Sequence, residues 1–310
     1  MKDKIVLKGF TEPNVPIEEM ERFCKIEPEM IPFNRPYVWY MFVDTMDGRG
    51  SFLQKGKAGG YHVALGHFRE DTGLAARYPD IAAGALADWR LLQYGWVVAD
   101  AIMAASGILN NEPGNEWRVV DRDLIDYRQS LGKKPAIRVL VTGSGSLDVG
   151  EKVFSPQKEY ETIVFTASEG ENVLKRKAEE ATGRLGYNPL DSNVRIYSLG
   201  EGRDITDFAR MMEILRKTHG VQLLDLQGGP TLAGLLAAQK LIDEYRLTKA
   251  PHIIGDRYYN GGKARERPTA FTFSEGVSFG PDNSILTPSL AEDRQVGGHT
   301  FIRRKMVYRH

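Results

Sequence analysis

The chain has 310 residues, 42% of them apolar, and its 41 Lys+Arg balance 41 Asp+Glu. That length suits one large α/β domain or two small ones, and zero net charge excludes a bulk field for nucleic acid or an anionic membrane. A single cysteine, Cys24, excludes an internal disulfide and any multi-cysteine metal site, while the six histidines show no paired ligand spacing.

Residues 1–36 carry Pro13, Pro16, Pro28, Pro32 and Pro36 and little periodicity beyond a short helix near 17–25, so they read as an added N-terminal arm that packs on the surface or on a partner subunit. The start, MKDKIVLKGF, has no long apolar core, and the longest apolar stretch, 95–105, is interrupted by Asp100. A cytoplasmic protein is expected. Aromatic and β-branched content makes 37–44 (YVWYMFVD) a buried strand that ends at the turn signal MDGRG. QKGKAGG (54–60) is a glycine-rich loop. Residues 82–95 are helical with Leu86, Leu91, Trp89 and Leu92 inward and Arg90 at the surface, and a strand at 101–105 precedes a polar loop at 110–116.

Strand and helix alternate more plainly in the second half, which argues for an α/β architecture. Strands are expected at 136–142, 161–166 and 194–198. An amphipathic helix over 169–184 turns Val173, Leu174, Lys177 and Ala181 inward, and a second helix over 205–218 is capped by Asp204. After the strand at 244–249, residues 270–274 and 300–308 read as antiparallel β structure.

The segment VQLLDLQGGPTLAGLLAAQKLIDEYRLTKA (221–250) says most about function. An apolar run of strand length, 221–226, is followed by Gly228, Gly229 and Pro230 and then by a helical stripe through Leu232, Leu235, Leu236 and Ile242. Two glycines let backbone approach a ligand closely, proline presets the first helical turn, and the amides from Gly229 to Ala233 then face an anion. The same residues serve equally in a tight turn without a ligand. VLVTGSGSL (139–147) also pairs a strand with glycines, but Asp148 occupies the third glycine position, so a separate Rossmann unit is not expected.

Three blocks, RPYVWYMFVDTMDGR (35–49), ADAIMAASG (99–107) and QGGPTLAGLLAAQKLIDEYRLTKAPHIIG (227–255), occur in the order and spacing of the reductase domain of the riboflavin-biosynthesis deaminase/reductase. The resemblance covers about residues 35–310. It implies a dihydrofolate reductase-like domain over 37–310, with a mixed, mostly parallel sheet flanked by helices, NADPH as hydride donor and a homodimer. No deaminase accompanies it, because one cysteine cannot supply a zinc deaminase site. The implied reaction is reduction of a ribosylamino-pyrimidine phosphate to its ribityl counterpart.

The resemblance also implies site residues. Gly228, Gly229, Pro230, Thr231 and Leu232 correspond to the cofactor pyrophosphate loop, Val43 and Asp44 to a backbone contact at the nicotinamide end, and Asp47 to the acidic turn residue, which a turn aspartate bonding its own backbone would equally explain. Ser106, Gly107 and Ile108 follow the second strand, where the family has Gly-x-Gly-Thr, so a cofactor-contacting hydroxyl is replaced by Ile108. Thr142 and Ser144 lie at the strand end near the adenosine 2′-phosphate. Gln227 stands where the family has a carboxylate that contacts substrate, Arg118 has the spacing of a substrate-binding arginine but suits the surface nearly as well, and Lys57 with Lys55 reads either as a phosphate site or, more simply, as a solvated charged loop. Two other functions stay open: a dihydropterin reductase on the same fold, and a non-catalytic nucleotide-binding dimeric protein.

Overall fold

The computed structural model describes residues 12–48, 50–53, 61–63, 72–190, 193–253, 259–260, 263–264, 279 and 284–308. The chain divides into two compact units, the first formed by residues 1–25, 39–94 and 242–310 and the second by 26–38 and 95–241. The main elements in chain order are α1 (Ile17–Cys24), β1 (Tyr37–Thr45), α2 (Pro79–Val98), β2 (Ala101–Ala105), α3 (Ser106–Asn111), α4 (Arg122–Ser130), β3 (Ile137–Thr142), β4 (Thr162–Thr166), α5 (Ser168–Leu185), β5 (Val194–Ser198), α6 (Phe208–Lys217), β6 (Leu223–Leu226), α7 (Pro230–Ala238), β7 (Glu244–Ala250), β8 (Arg294–Val296) and β9 (His299–Lys305). The expected α/β fold, a mixed and mostly parallel sheet with helices, is the one found.

In the second unit, β6, β2, β3, β4 and β5 lie side by side in that order, and each neighbouring pair is parallel. The central residues of β6, β2, β3 and β4 are buried almost without interruption, including Ile102, Met103, Val139, Leu140, Ile163, Val164 and Leu224, while the edge strand β5 buries only Val194. Near-continuous apolar runs are the signature of strands covered on both faces. All five strands end on the same side, so the loops that follow them converge.

Strand β1 of the first unit pairs in parallel with β7, whose other edge takes β9 antiparallel, with β8 beyond it. Here burial alternates: Glu244, Arg246, Thr248 and Ala250 of β7 turn inward together with His299, Phe301 and Arg303 of β9. The result is a buried ionic centre. Both Arg246 Nε and Arg303 Nε donate to Glu244 Oε1 at 2.6 Å, and Arg246 lies 4.5 Å over the Trp39 ring. The two guanidiniums also donate to the carbonyls of Cys24 and Phe23 at the end of α1, which itself buries Met20, Phe23 and Cys24.

Several local expectations need correction. Leu86 is 47% exposed, while Leu91 is buried and Arg90 turns inward to donate to the Val15 carbonyl at 2.7 Å. Helix α2 is covered on more than one face, so a single-stripe reading caught Leu91 but misplaced Leu86 and Arg90. Asp207, not Asp204, caps α6 by accepting from Arg210 N at 2.8 Å, because Thr206 N is already tied to Leu199 O. Helix α4 was not expected; it is polar and buries Leu124 alone. Its Arg128 donates to the carbonyls of Trp96, Val97 and Ala99, and so satisfies the end of α2.

Candidate active site

The segments singled out in the sequence as 105–108, 142–144 and 227–232 leave β2, β3 and β6, three strands adjacent in one parallel sheet and all at their C-terminal ends. Ligands of open parallel sheets bind at that end. Gln227 N donates to Met103 O at 2.8 Å, which extends the β6–β2 ladder by one residue, and Ala105 N donates to Gly228 O at 3.1 Å. These two bonds fix the glycine turn against the start of α3.

Gly228 has φ +97°, a conformation that side chains rarely adopt, and the Gly228–Gly229 peptide is cis. Gly229 is extended, and a Cβ placed there would meet nothing within 4 Å. The space above the turn is open. Helix α7 starts at Pro230 with no side-chain cap, and Ala233 N already bonds Gly229 O at 3.0 Å. Of the amides expected to face an anion, Ala233 is therefore committed, while Thr231 and Leu232 remain in the first turn as donors. Thr231 is exposed and Leu232 is buried, so the cradle is made by backbone. An anion at this helix N-terminus is favoured by the dipole as well as by the donors.

On the neighbouring strand end, Ser106 and Ile108 are half-buried and Gly107 is exposed with open space at its Cα. Thr142 is buried, and its hydroxyl accepts from Ser146 N at 3.2 Å, so it holds the turn in which Ser144 stays half-buried. Gly143 and Gly145 have a packing reason. A Cβ on Gly143 would strike the Arg203 carbonyl, and one on Gly145 the Gly170 carbonyl. Arg203, which the sequence did not single out, thus brings its backbone to this strand end, while its guanidinium lies 3.0 Å from Glu169. Thr166, in register with Thr142, also escaped notice; its buried Oγ1 has no hydrogen-bond partner among the described residues.

In the first unit, Val43 is buried with Ala85 and Ala250 at the end of β1. Asp44 is opposite Lys249 in register, and the ammonium lies 2.9 Å from the carboxylate. Burial pushes Asp44 upward while the Lys249 hydrogen bond and charge pull it down, with a net rise above the usual carboxylate value. Asp47 is exposed in a turn closed by Gly48 N to Thr45 O at 2.9 Å, and it accepts from the Thr45 hydroxyl. That bond is to a side chain of the turn, not to its backbone. Met46 N then donates to His252 O at 2.7 Å, tying this turn to the end of β7.

Arg118 does not join the convergent strand ends. It is exposed beside Trp117, whose carbonyl, like that of Glu116, accepts from Arg138 at the start of β3, the opposite end of the strand from Thr142. Spacing from Pro113 carried no information about which end of the sheet the segment reaches. Lys57 and Lys55 lie outside the described residues. Among the described residues no group of three or more His, Cys, Asp and Glu is arranged to hold a metal ion, and no helix is long and apolar enough to cross a membrane.

Comparison with known proteins decides the family. The model of the RibD C-terminal domain matches residues 85–285, well over half of the chain. The chain belongs to the RibD C-terminal domain family. A relative from Archaeoglobus fulgidus, named 2,5-diamino-6-ribosylamino-4(3H)-pyrimidinone 5′-phosphate reductase, is 28% identical over 174 residues, which are 55% of this chain and 70% of that protein. Among solved structures, a pyrimidine reductase-like protein from Corynebacterium diphtheriae is similar with TM-score 0.59 and 18% identity, covering 93% of this chain and 98% of the other. RibD of Acinetobacter baumannii is similar with TM-score 0.57 and 16% identity; the match covers 89% of this chain but only 59% of that protein. These two likenesses place the RibD-type fold on the chain, and family membership makes it an oxidoreductase of the riboflavin-biosynthesis type.

Proposed function

We propose that this chain is an NADPH-dependent reductase that converts the imine form of a ribosylamino-pyrimidine phosphate, or a closely related imine, into the ribityl product, acting in the cytoplasm as a homodimer. The observation that carries this reading is the convergence of the β2, β3 and β6 ends around open space at Gly229, with backbone donors at Thr231 and Leu232. A dinucleotide fits that set. The pyrophosphate takes the α7 amides and the room left by Gly228 and Gly229, with Pro230 presetting the turn, while Ser106, Gly107 and Ile108 flank it. Ser144, with Arg203 beside Gly143, receives the 2′-phosphate end, and Thr142 holds that turn.

NADPH supplies the hydride when bound. The chain's own task is then orientation and exclusion of water, which is what reactions driven by a cofactor ask of a protein. Val43, Asp44 and Asp47, in the first unit, keep the roles that the resemblance implies for them. The family's carboxylate before the two glycines is here Gln227, so substrate is gripped at that position by an amide.

The test is direct. Purified protein is mixed with NADPH and a ribosylamino-pyrimidine 5′-phosphate, and the product is weighed by mass spectrometry. A product heavier by two hydrogens, formed one for one with NADP⁺, supports the reading. Cofactor binding without any such product on a panel of pyrimidine, pterin and imine substrates would leave a non-catalytic nucleotide-binding protein instead.

A further inference from the structure

Asp225 sits inside β6 and is fully buried. Side chains two apart on a strand share a face, and Gln227 Nε2 accordingly donates to Asp225 Oδ1 at 2.7 Å. An ionised carboxylate only accepts hydrogen bonds, whereas an amide has one donating and one accepting end. In that bond the Gln227 NH₂ turns toward Asp225, and its Oε1 turns away. Gln227 is half-buried, its backbone N–H is spent on Met103 O, and among the described residues nothing donates to Oε1. That oxygen stands one residue before the glycine turn. Strand β2 (AIMAA) and helices α3 (SGILNN) and α7 (PTLAGLLAA), which frame the turn within this unit, contain no ionisable side chain. No charge on them competes with Asp225 for the amide.

We propose that Asp225 is a positioning residue that fixes Gln227 as a neutral hydrogen-bond acceptor, and that this acceptor selects an uncharged donor on the substrate, a sugar hydroxyl or an amino group. Donation from the amide NH₂ to the Asp225 carboxyl polarises the amide, which strengthens Oε1 as an acceptor without placing a charge in the site. A carboxylate at 227 would also accept, but it would repel a nearby phosphate and would confront Asp225. The substrate half of the proposal rests on the reductase reading; the Asp225–Gln227 half does not.

The experiment uses the whole chain and two variants, Gln227→Glu and Asp225→Asn/Gln227→Glu, with ¹³C-labelled glutamate carboxyls followed by NMR across pH. In the single variant two carboxylates face each other and share a proton, so the carboxyl introduced at position 227 titrates well above an ordinary glutamate. In the double variant the new amide at position 225 donates to that carboxylate, and the raised titration disappears. Turnover of the ribosylamino-pyrimidine is expected to follow: the single variant gains an inflection in its pH profile of kcat/KM, and the double variant loses it. An introduced carboxyl that titrates like a free glutamate in both variants overturns the coupling. Gln227→Met, which removes the acceptor without adding charge, is expected to raise KM about 10-fold with kcat nearly unchanged. An unchanged KM overturns the substrate contact. Absence of turnover by the unmodified protein sinks the reductase reading alone, because the NMR titration still decides the Asp225–Gln227 pair.

Discussion

Gly228 and Ile108 meet where β6 and β2 end: a Cβ on Gly228 would stand 3.9 Å from Ile108 Cδ1, in ordinary van der Waals contact. An apolar side chain thus borders the glycine turn at the position where the resembling family has a cofactor-contacting hydroxyl. Ile108→Thr is expected to tighten NADPH binding by roughly threefold to tenfold, the value of one added hydrogen bond. Isothermal titration of the variant beside the unmodified chain reads this out. Equal or weaker binding means that residue 108 does not reach the cofactor.

Gly229→Val probes the open space itself. Gly229 is extended, at φ −78° and ψ 168°, a region in which β-branched residues are at ease. A Cβ there would meet nothing within 4 Å, so a loss of binding in the folded variant reports occupied ligand space. NADPH affinity is expected to fall about 100-fold or more, with near-native circular dichroism. A folded Gly229→Val protein that binds as before would remove the cradle from the account.

Glu244→Gln tests the buried ionic centre. Burial alone would raise this carboxyl, but the charges and hydrogen bonds of Arg246 and Arg303 outweigh it and hold it below the usual range. Removing the carboxylate leaves two buried guanidiniums without their anion, which costs about 3 to 5 kcal/mol. Urea unfolding should show that loss at neutral pH. The sign with pH follows from the depressed value: this stabilisation is present above the unfolded-state pKa and fades as pH falls through the folded one.

His299 gives a second pH dependence. Burial pushes its imidazole down to about 4, with the Gly297 carbonyl opposing and His252 adding to the shift. The unfolded chain takes up a proton near pH 6.5 that the folded chain refuses, so stability is complete above that pH and falls as pH drops toward 4. The loss is on the order of 2 kcal/mol between about pH 7 and about pH 5. His299→Gln should flatten that part of the curve. A variant with the same slope as the unmodified chain would show that another group titrates there.

The strands were legible wherever apolar runs were bounded by turn residues: Ala101–Ala105 and Val194–Ser198 were read to the residue. The glycine turn was legible too, because Gly-Gly-Pro between an apolar run and a helical stripe admits few conformations. Less was readable where long-range contacts decide the outcome. Arg90 looked like a surface residue because nothing local announces the Val15 carbonyl that it meets 75 residues away. Arg118 was placed by spacing, but spacing is blind to the bonds from Arg138 that hold its neighbours at the far end of β3. Asp225 did leave a signal. A charged residue inside the apolar run VQLLDLQGG must be buried and must find a partner, and the next polar side chain on its face is Gln227.

The measurement that bears most directly on the account is a parallel titration of the purified protein with NADPH and NADH, following quenching of its four tryptophans and energy transfer to the reduced nicotinamide. Saturable binding that prefers NADPH, lost in Gly229→Val, is the predicted result. Failure of both nucleotides to bind would contradict the central claim that the convergent ends of β2, β3 and β6 form a dinucleotide site.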